Sequence, residues 1–172
     1  MDWSKIKIGS WNVNQLRNKL EDNDFVNIVN KFDILALNET WLSPDEEIDI
    51  NDYYSYSSVR NKNRIASTFS GGIAFLVRSS LRKAFKIVNV ESDFIVCAKL
   101  DKTFIGYSED IYLLATYIPP SNSSFYRARG HSDPFDDLSQ TIHKYANLGK
   151  ILILGDMNAR TGNLPDFIEN DE

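Results

Sequence analysis

A succession of short apolar or β-rich runs, each ended by a polar or Gly/Pro-containing segment, constrains this chain more than any other feature. Runs of this length are typical of strands, and the run at 33–37 has the apolar character of a strand buried on both faces. A chain with this many strands is expected to fold into packed sheets. The predicted strands cover residues 5–11, 33–37, 73–77, 86–90, 94–100, 111–118 and 150–154.

Two segments with helical spacing of apolar residues interrupt the strands. Asp22 or Asn23 is expected to cap the first helix. Ser132 or Asp133 is expected to cap the second, with Pro134 in the first helical position. The apolar stripes are Phe25, Ile28, Val29 and Phe32 in the first helix, and Phe135, Leu138, Ile142, Tyr145 and Ala146 in the second, which is expected to end at a left-handed Gly149.

The two helices belong to two similar units of the chain. Residues 5–39 and residues 111–158 both follow the order strand, helix, strand, and both end in a carboxylate just past a buried strand. This repetition predicts an α+β fold in which two sheets pack face to face with helices outside. We expect each sheet to come from one half of the chain, and residues 1–172 to form a single domain.

The composition excludes several classes of protein. Hydrophobic residues make up 42% and charged residues 25% of the chain, which is typical of a globular domain and not of a disordered one. No run is long and apolar enough for a signal peptide or a membrane span, and the single cysteine, Cys97, allows no internal disulfide. We therefore expect an intracellular protein that is neither secreted nor bound to a membrane.

The net charge of −5 does not by itself indicate a nucleic-acid-binding protein. Basic residues nevertheless cluster around Arg60 and Arg64, and again from Arg78 onward. Such clusters are consistent with a solvated surface, or with a surface that follows a phosphate backbone. Both readings stay open, and Arg60, Arg64 and Arg78 are candidate substrate-binding residues.

Polar residues follow apolar strands directly at four places in the chain. Asn12, Glu39 and Tyr117 each stand at such a strand end, and Asp156 and Asn158 stand together at the fourth. A carboxylate next to a fully apolar strand is costly unless it is paired or bound to a metal ion. Each residue alone could form a turn, but the four places together predict a functional site.

The motifs at these places resemble those of the endonuclease/exonuclease/phosphatase superfamily. The order is Trp-Asn, Asn-Glu-Thr-Trp, Ser-Gly-Gly-Ile-Ala, Thr-Tyr-Ile-Pro-Pro and Gly-Asp-Met-Asn-Ala, spread over most of the chain. The versions Asn-Glu-Thr-Trp-Leu and Tyr-Ile-Pro-Pro are most similar to endonuclease domains of non-LTR retrotransposons. The resemblance implies a four-layer sandwich of the deoxyribonuclease I type and a Mg²⁺- or Mn²⁺-dependent endonuclease that nicks DNA.

The resemblance also implies a role for each site residue. Glu39 matches the family's metal-binding glutamate, and Asn12 would help to hold the ion or its water. Asp156 matches the aspartate that orients or activates the attacking water. Asn158 matches the asparagine that holds the phosphate, and Tyr117 matches the tyrosine that donates a hydrogen bond to it.

One motif of the family has no counterpart in this sequence. The family carries a Ser-Asp-His or similar motif near its C-terminus, whereas no histidine follows Asn158 here. His131 and His143 lie elsewhere in the chain and are not expected to replace it. The resemblance therefore implies a C-terminally truncated domain that lacks the last strands of the second sheet and has impaired activity.

Two other functions remain open at this point. The same fold could hydrolyse an inositol phosphate or a phospholipid, or the chain could be a non-catalytic remnant that only binds DNA. For the endonuclease reading we expect a monomer that acts on DNA, in the nucleus if it derives from a eukaryotic retrotransposon. Intact relatives would carry a reverse transcriptase domain downstream.

Overall fold

The computed structural model describes residues 5–59, 71–120, 123 and 133–159, and within them two sheets account for the strands. The first sheet has the order β1-β2-β4-β3, in which β1 and β2 are parallel and the other neighbours are antiparallel. It comes entirely from the first half of the chain. Its strands are β1 (Ile8–Asn12), β2 (Ile34–Asn38), β3 (Tyr53–Ser58) and β4 (Ile73–Arg78).

The second sheet has the order β5-β6-β7-β8, with β7 and β8 parallel and the other neighbours antiparallel. Each sheet thus contains one parallel pair whose strands are joined through a helix, as the internal repetition predicts. The strands are β5 (Phe85–Val88), β6 (Ile95–Leu100), β7 (Asp110–Tyr117) and β8 (Gly149–Asp156).

The helices begin where their capping residues predict. The side chain of Asp22 accepts a hydrogen bond from the N–H of Asp24, and that of Asp133 accepts one from Phe135. These bonds satisfy donors that have no partner within the helix. In the described part of the chain the helices are α1 (Asn23–Val29), α2 (Lys102–Ile105) and α3 (Pro134–Tyr145), with short 3-10 turns at Arg17–Lys19 and Ser79–Leu81.

The fold has four layers, and an apolar cluster fills the space between each pair of neighbouring layers. The cluster between the sheets contains Ile34 and Ala36 of β2, Phe75 of β4, and Leu113 and Ala115 of β7, all buried. The clusters outside the sheets pack α1 on the first sheet and α3 on the second. The expected four-layer α+β sandwich of the deoxyribonuclease I type is confirmed.

The sequence-based element boundaries needed several corrections. The strand β3 and the helix α2 were not predicted, and the ends of most other strands shift by one to three residues. Gly149 does not end the second helix but begins β8, because α3 already ends at an Ala146 cap. Phe135 and Ile28 were assigned to buried stripes, yet they are 49% and 36% exposed.

Within the described residues, β8 has a single hydrogen-bonded neighbour, β7. Its side chains are only partly covered, and Leu152 is 38% exposed. No helix in the described part of the chain is long and apolar enough to cross a bilayer.

Candidate active site

The strand ends that carry the predicted site residues meet at one edge of the sandwich. Parallel pairing places Asn12 opposite Asn38 at the ends of β1 and β2, immediately before Glu39. The same arrangement in the second sheet places Tyr117 opposite Asp156 at the ends of β7 and β8. Because β1 and β8 face each other across the sheets, the two pairs of strand ends form one site.

The amide of Asn12 joins the carboxylates of the two sheets. Its Nδ2 donates to Oε1 of Glu39 at 2.8 Å and to Oδ2 of Asp156 at 2.7 Å. Its Oδ1 accepts a hydrogen bond from the N–H of Asn14 at 3.1 Å, which holds the amide in this orientation. Residues that are 144 positions apart in the sequence are therefore in direct contact.

The segment that carries Glu39 has an unusual backbone. Glu39 and Trp41 have φ values of 56° and 55°, in the left-handed region that is unfavourable for side chains of this size. Backbone bonds from Trp41 to Gly71 and from Thr40 to Gly72 hold the segment against the start of β4. A Cβ atom at Gly72 would lie 2.6 Å from Oγ1 of Thr40, and the φ of 86° is one that side chains rarely adopt, so both features favour glycine here.

Asp156 and Asn158 are linked within their own loop. Oδ1 of Asp156 accepts a hydrogen bond from the N–H of Asn158 at 2.9 Å. The side chain of Asn158, whose φ is 46°, donates to the carbonyl oxygen of Ile118 at 2.9 Å. The N–H of Ile118 donates in turn to the carbonyl of Asp156, so the loop after β8 is tied to the loop after β7.

Tyr117 lies at the site end of the core between the sheets and is 7% exposed. Its N–H donates to the carbonyl of Phe94 at 2.9 Å. The structure therefore brings Asn12, Glu39, Tyr117 and Asp156 to one edge, with Asn158 next to them.

The three candidate substrate-binding arginines do not all belong to this edge. Arg78 lies at the opposite end of β4. There it pairs with Asp33 at 3.2 Å and donates to the carbonyls of Asn30 and Phe32 and to the hydroxyl of Tyr53. Its guanidinium is used to connect structural elements, so it does not support the predicted substrate contact. Arg60 and Arg64 lie outside the described residues.

The two histidines can be placed only in part. His143 is exposed on α3, and its Nδ1 lies 2.8 Å from the carbonyl oxygen of Ser139. His131 lies outside the described residues.

Sequence reasoning missed Asn38, which is fully buried at the end of β2. Its Nδ2 donates to the carbonyl oxygen of Thr116 in the second sheet at 2.9 Å. A signal was available, because a polar amide that ends the apolar run Ile-Leu-Ala-Leu must find a hydrogen-bond partner inside the protein.

The loop that follows Trp41 is tied to the loop that follows β1. The carboxylate of Glu46 accepts hydrogen bonds from Nε of Arg17 and from the N–H and Oγ of Ser43. The hydrogen bond from Arg17, followed by those from Ser43, lowers the pKa of Glu46 from 4.5 to about 2.

This lowered pKa makes a prediction about acid stability. Because folding depresses the pKa of Glu46, its stabilising contribution is present above pH 4.5 and is lost as the pH falls towards 2. We expect Glu46→Gln to lower the urea midpoint at pH 6 and to have less effect near pH 2. The exposed neighbour Glu47, changed to Gln, is the matched control. An effect of Glu46→Gln that is equal at both pH values would contradict the prediction.

The donor atoms at the site suit a hard divalent cation. Among the described residues, neither Glu39 nor Asp156 forms an ion pair with a lysine or arginine. Two neighbouring carboxylates without a cationic partner leave negative charge that a metal ion would neutralise. Mg²⁺ binds through one or two carboxylates and keeps several waters, so Glu39 and Oδ1 of Asn12 would provide its protein ligands, with the Asp156 carboxylate beside them.

A family profile decides the relationship of this chain to known proteins. The profile of the Endonuclease/Exonuclease/phosphatase family matches residues 9–167. The chain belongs to this family. No match was found among curated proteins.

Several solved structures share the fold. An endonuclease/exonuclease/phosphatase family protein from Leptotrichia buccalis C-1013-b has a TM-score of 0.60 at 17% identity, over 92% of this chain and 69% of that one. The endonuclease domain of TRAS1, a telomere-specific non-LTR retrotransposon, has a TM-score of 0.57 at 12% identity, over 91% and 62% of the two chains.

An AP endonuclease from Archaeoglobus fulgidus has a TM-score of 0.54 at 20% identity, over 90% of this chain and 58% of the archaeal one. This chain therefore spans less than two thirds of the archaeal enzyme. At these identities the likeness shows the fold, and the chemistry of this chain has to be argued from its own site.

Proposed function

We propose that this chain is a Mg²⁺- or Mn²⁺-dependent phosphodiesterase that nicks DNA. The observation that carries the proposal is the contact of Asn12 with both Glu39 and Asp156, which brings carboxylates from two sheets to one point. Metal-dependent phosphodiester hydrolysis is the chemistry of the family to which the chain belongs. DNA as the substrate is supported by similarity to an AP endonuclease and to a Neisseria 3′ phosphatase whose structure contains a product DNA hairpin.

The mechanism assigns one task to each side chain. Glu39 and Asn12 would hold the metal ion or its water, and a bound ion would polarise the scissile phosphate and stabilise the leaving oxygen. Asp156 orients the attacking water and accepts a proton from it. Tyr117 and Asn158 donate hydrogen bonds to the phosphate oxygens as negative charge increases there.

We further propose that the enzyme is of the non-LTR retrotransposon type. The motifs Asn-Glu-Thr-Trp-Leu and Tyr-Ile-Pro-Pro support this assignment, as does the similarity to the TRAS1 endonuclease domain. The assignment implies a monomeric domain that acts on nuclear DNA, and relatives with a downstream reverse transcriptase. Arg60 and Arg64 remain proposed contacts to the DNA backbone.

Plasmid nicking tests the proposal directly. We expect the purified chain to convert supercoiled DNA to the open-circular form with Mg²⁺ or Mn²⁺, to stop when EDTA is added, and to resume when Mg²⁺ is restored. Phosphoinositides are the comparison substrate. Hydrolysis of phosphoinositides without DNA cleavage would favour a phosphatase of the same fold, and salt-sensitive DNA binding without cleavage would favour a non-catalytic fragment.

A further inference from the structure

Asn38 forms a buried side-chain bond between the two sheets at the site edge. Both Asn38 and Thr116, whose carbonyl oxygen accepts the bond, have no exposed surface. We call this 2.9 Å hydrogen bond the Asn38 bridge. A long contact of 3.5 Å from Oγ of Ser10 to Oδ1 of Asn38 extends it to β1.

The Asn38 bridge connects residues that each precede a site residue. Asn38 precedes Glu39 in the first sheet, and Thr116 precedes Tyr117 in the second. Thr116 is also paired with Gly155, the residue before Asp156. A shift of one sheet against the other would therefore move Glu39 relative to both Tyr117 and Asp156.

Apolar contacts alone would leave the relative position of the sheets less well determined. The core between them is made of aliphatic and aromatic side chains, and hydrophobic contacts are not directional. A buried amide without a partner costs about 1–3 kcal/mol, so arrangements that break the bridge are disfavoured. Among the described residues, the second polar side-chain contact between the sheets at this edge is that of Asn12 with Asp156.

We propose that Asn38 is a positioning residue, which sets Glu39 of the first sheet against Tyr117 and Asp156 of the second through its bond to Thr116. The proposal rests on the proposed function for its kinetic part. Because Glu39 and Asn12 lie in the same sheet, loss of the bridge should leave metal binding largely intact. It should instead reduce the rate of the step that needs Asp156 and Tyr117 in place.

Asn38→Leu tests the bridge with a side chain of similar size. A displacement of about 1 Å at a reacting group can reduce the rate about 10²-fold. We expect a decrease in kcat of this order, with the substrate KM and the Mg²⁺ concentration for half-maximal rate nearly unchanged. The control is Thr141→Val, which removes a buried hydroxyl from its bond to the Asp137 carbonyl on α3. If both variants lower the Tm equally and leave kcat equally unaffected, Asn38 is only structural.

A second measurement does not depend on activity. If the bridge aligns the sheets, the change in Tm caused by Asp156→Asn should differ between the wild-type and Asn38→Leu backgrounds. Equal changes in both backgrounds would overturn the proposal. If the wild type cleaves no substrate, the proposed function fails, and this double-mutant cycle alone decides whether Asn38 positions Asp156.

Discussion

Replacing Glu39 by glutamine is expected to lower kcat/KM for metal-dependent DNA nicking by about 10³-fold or more. Glutamine keeps the size of the side chain and an oxygen that can accept the hydrogen bond from Asn12. It removes the negative charge, and a hard cation such as Mg²⁺ binds a neutral amide far more weakly than a carboxylate. The loss should therefore come from weaker metal binding and not from a change in fold.

A metal titration separates weaker metal binding from a change in fold. Nicking is measured as a function of Mg²⁺ and Mn²⁺ concentration, and we expect Glu39→Gln to shift the half-maximal concentration upward and to regain part of its activity at high Mn²⁺. Glu47→Gln, on the exposed loop after Trp41, is the matched control and should leave both parameters unchanged. A Glu39→Gln enzyme that keeps more than a tenth of the wild-type activity at low Mg²⁺ would show that Glu39 is not a metal ligand.

The layers of the fold could be predicted because the sequence patterns that specify them lie within short segments of the chain. A parallel pair of strands joined through a helix leaves a pattern within a few tens of residues, and the chain contains this pattern twice. β3 was missed because its sequence, Tyr-Tyr-Ser-Tyr-Ser-Ser, lacks the aliphatic character of a buried strand. It lies at the edge of its sheet, where Tyr54 remains 37% exposed.

The assembly of the site could not be derived from local pattern. Carboxylates at the ends of buried strands predict a functional residue, but nothing in their spacing shows that Asn12 contacts Asp156 from another sheet. The resemblance to a family placed these residues in one site. It did not identify the partner of Asn38, because that partner is a backbone carbonyl, which has no sequence signature.

Arg78 shows a second limit of prediction from sequence, because a residue that was predicted to bind substrate has a structural role in the fold. A cluster of positive charge in the sequence is compatible with binding phosphate, but the charge cannot be used for this if it is already neutralised. The pairing of Arg78 with Asp33, which is distant in the sequence, becomes visible only in the folded chain. Counting charges therefore overestimates the number of groups that are free to contact DNA.

Gly155 is the position at which a single methyl group should damage the site most. It has a φ of 130°, which side chains rarely adopt, and it lies next to Thr116 in the register of β7 and β8. A Cβ atom here would clash with the Thr116 carbonyl oxygen and would lie 2.8 Å from the carbonyl carbon. These atoms belong to the backbone of a central strand and cannot rotate away as a side chain could.

We therefore expect Gly155→Ala to lower the free energy of unfolding by about 4 kcal/mol or more, at the upper end of single substitutions. Urea denaturation followed by circular dichroism measures the change. Gly106→Ala is the matched control, because Gly106 also has a positive φ, 72°, but an added Cβ would meet nothing within 4 Å. Backbone strain alone should cost this control about 1 kcal/mol. If the two variants lost equal stability, the close approach of β8 to Thr116 would not be the reason for glycine at position 155.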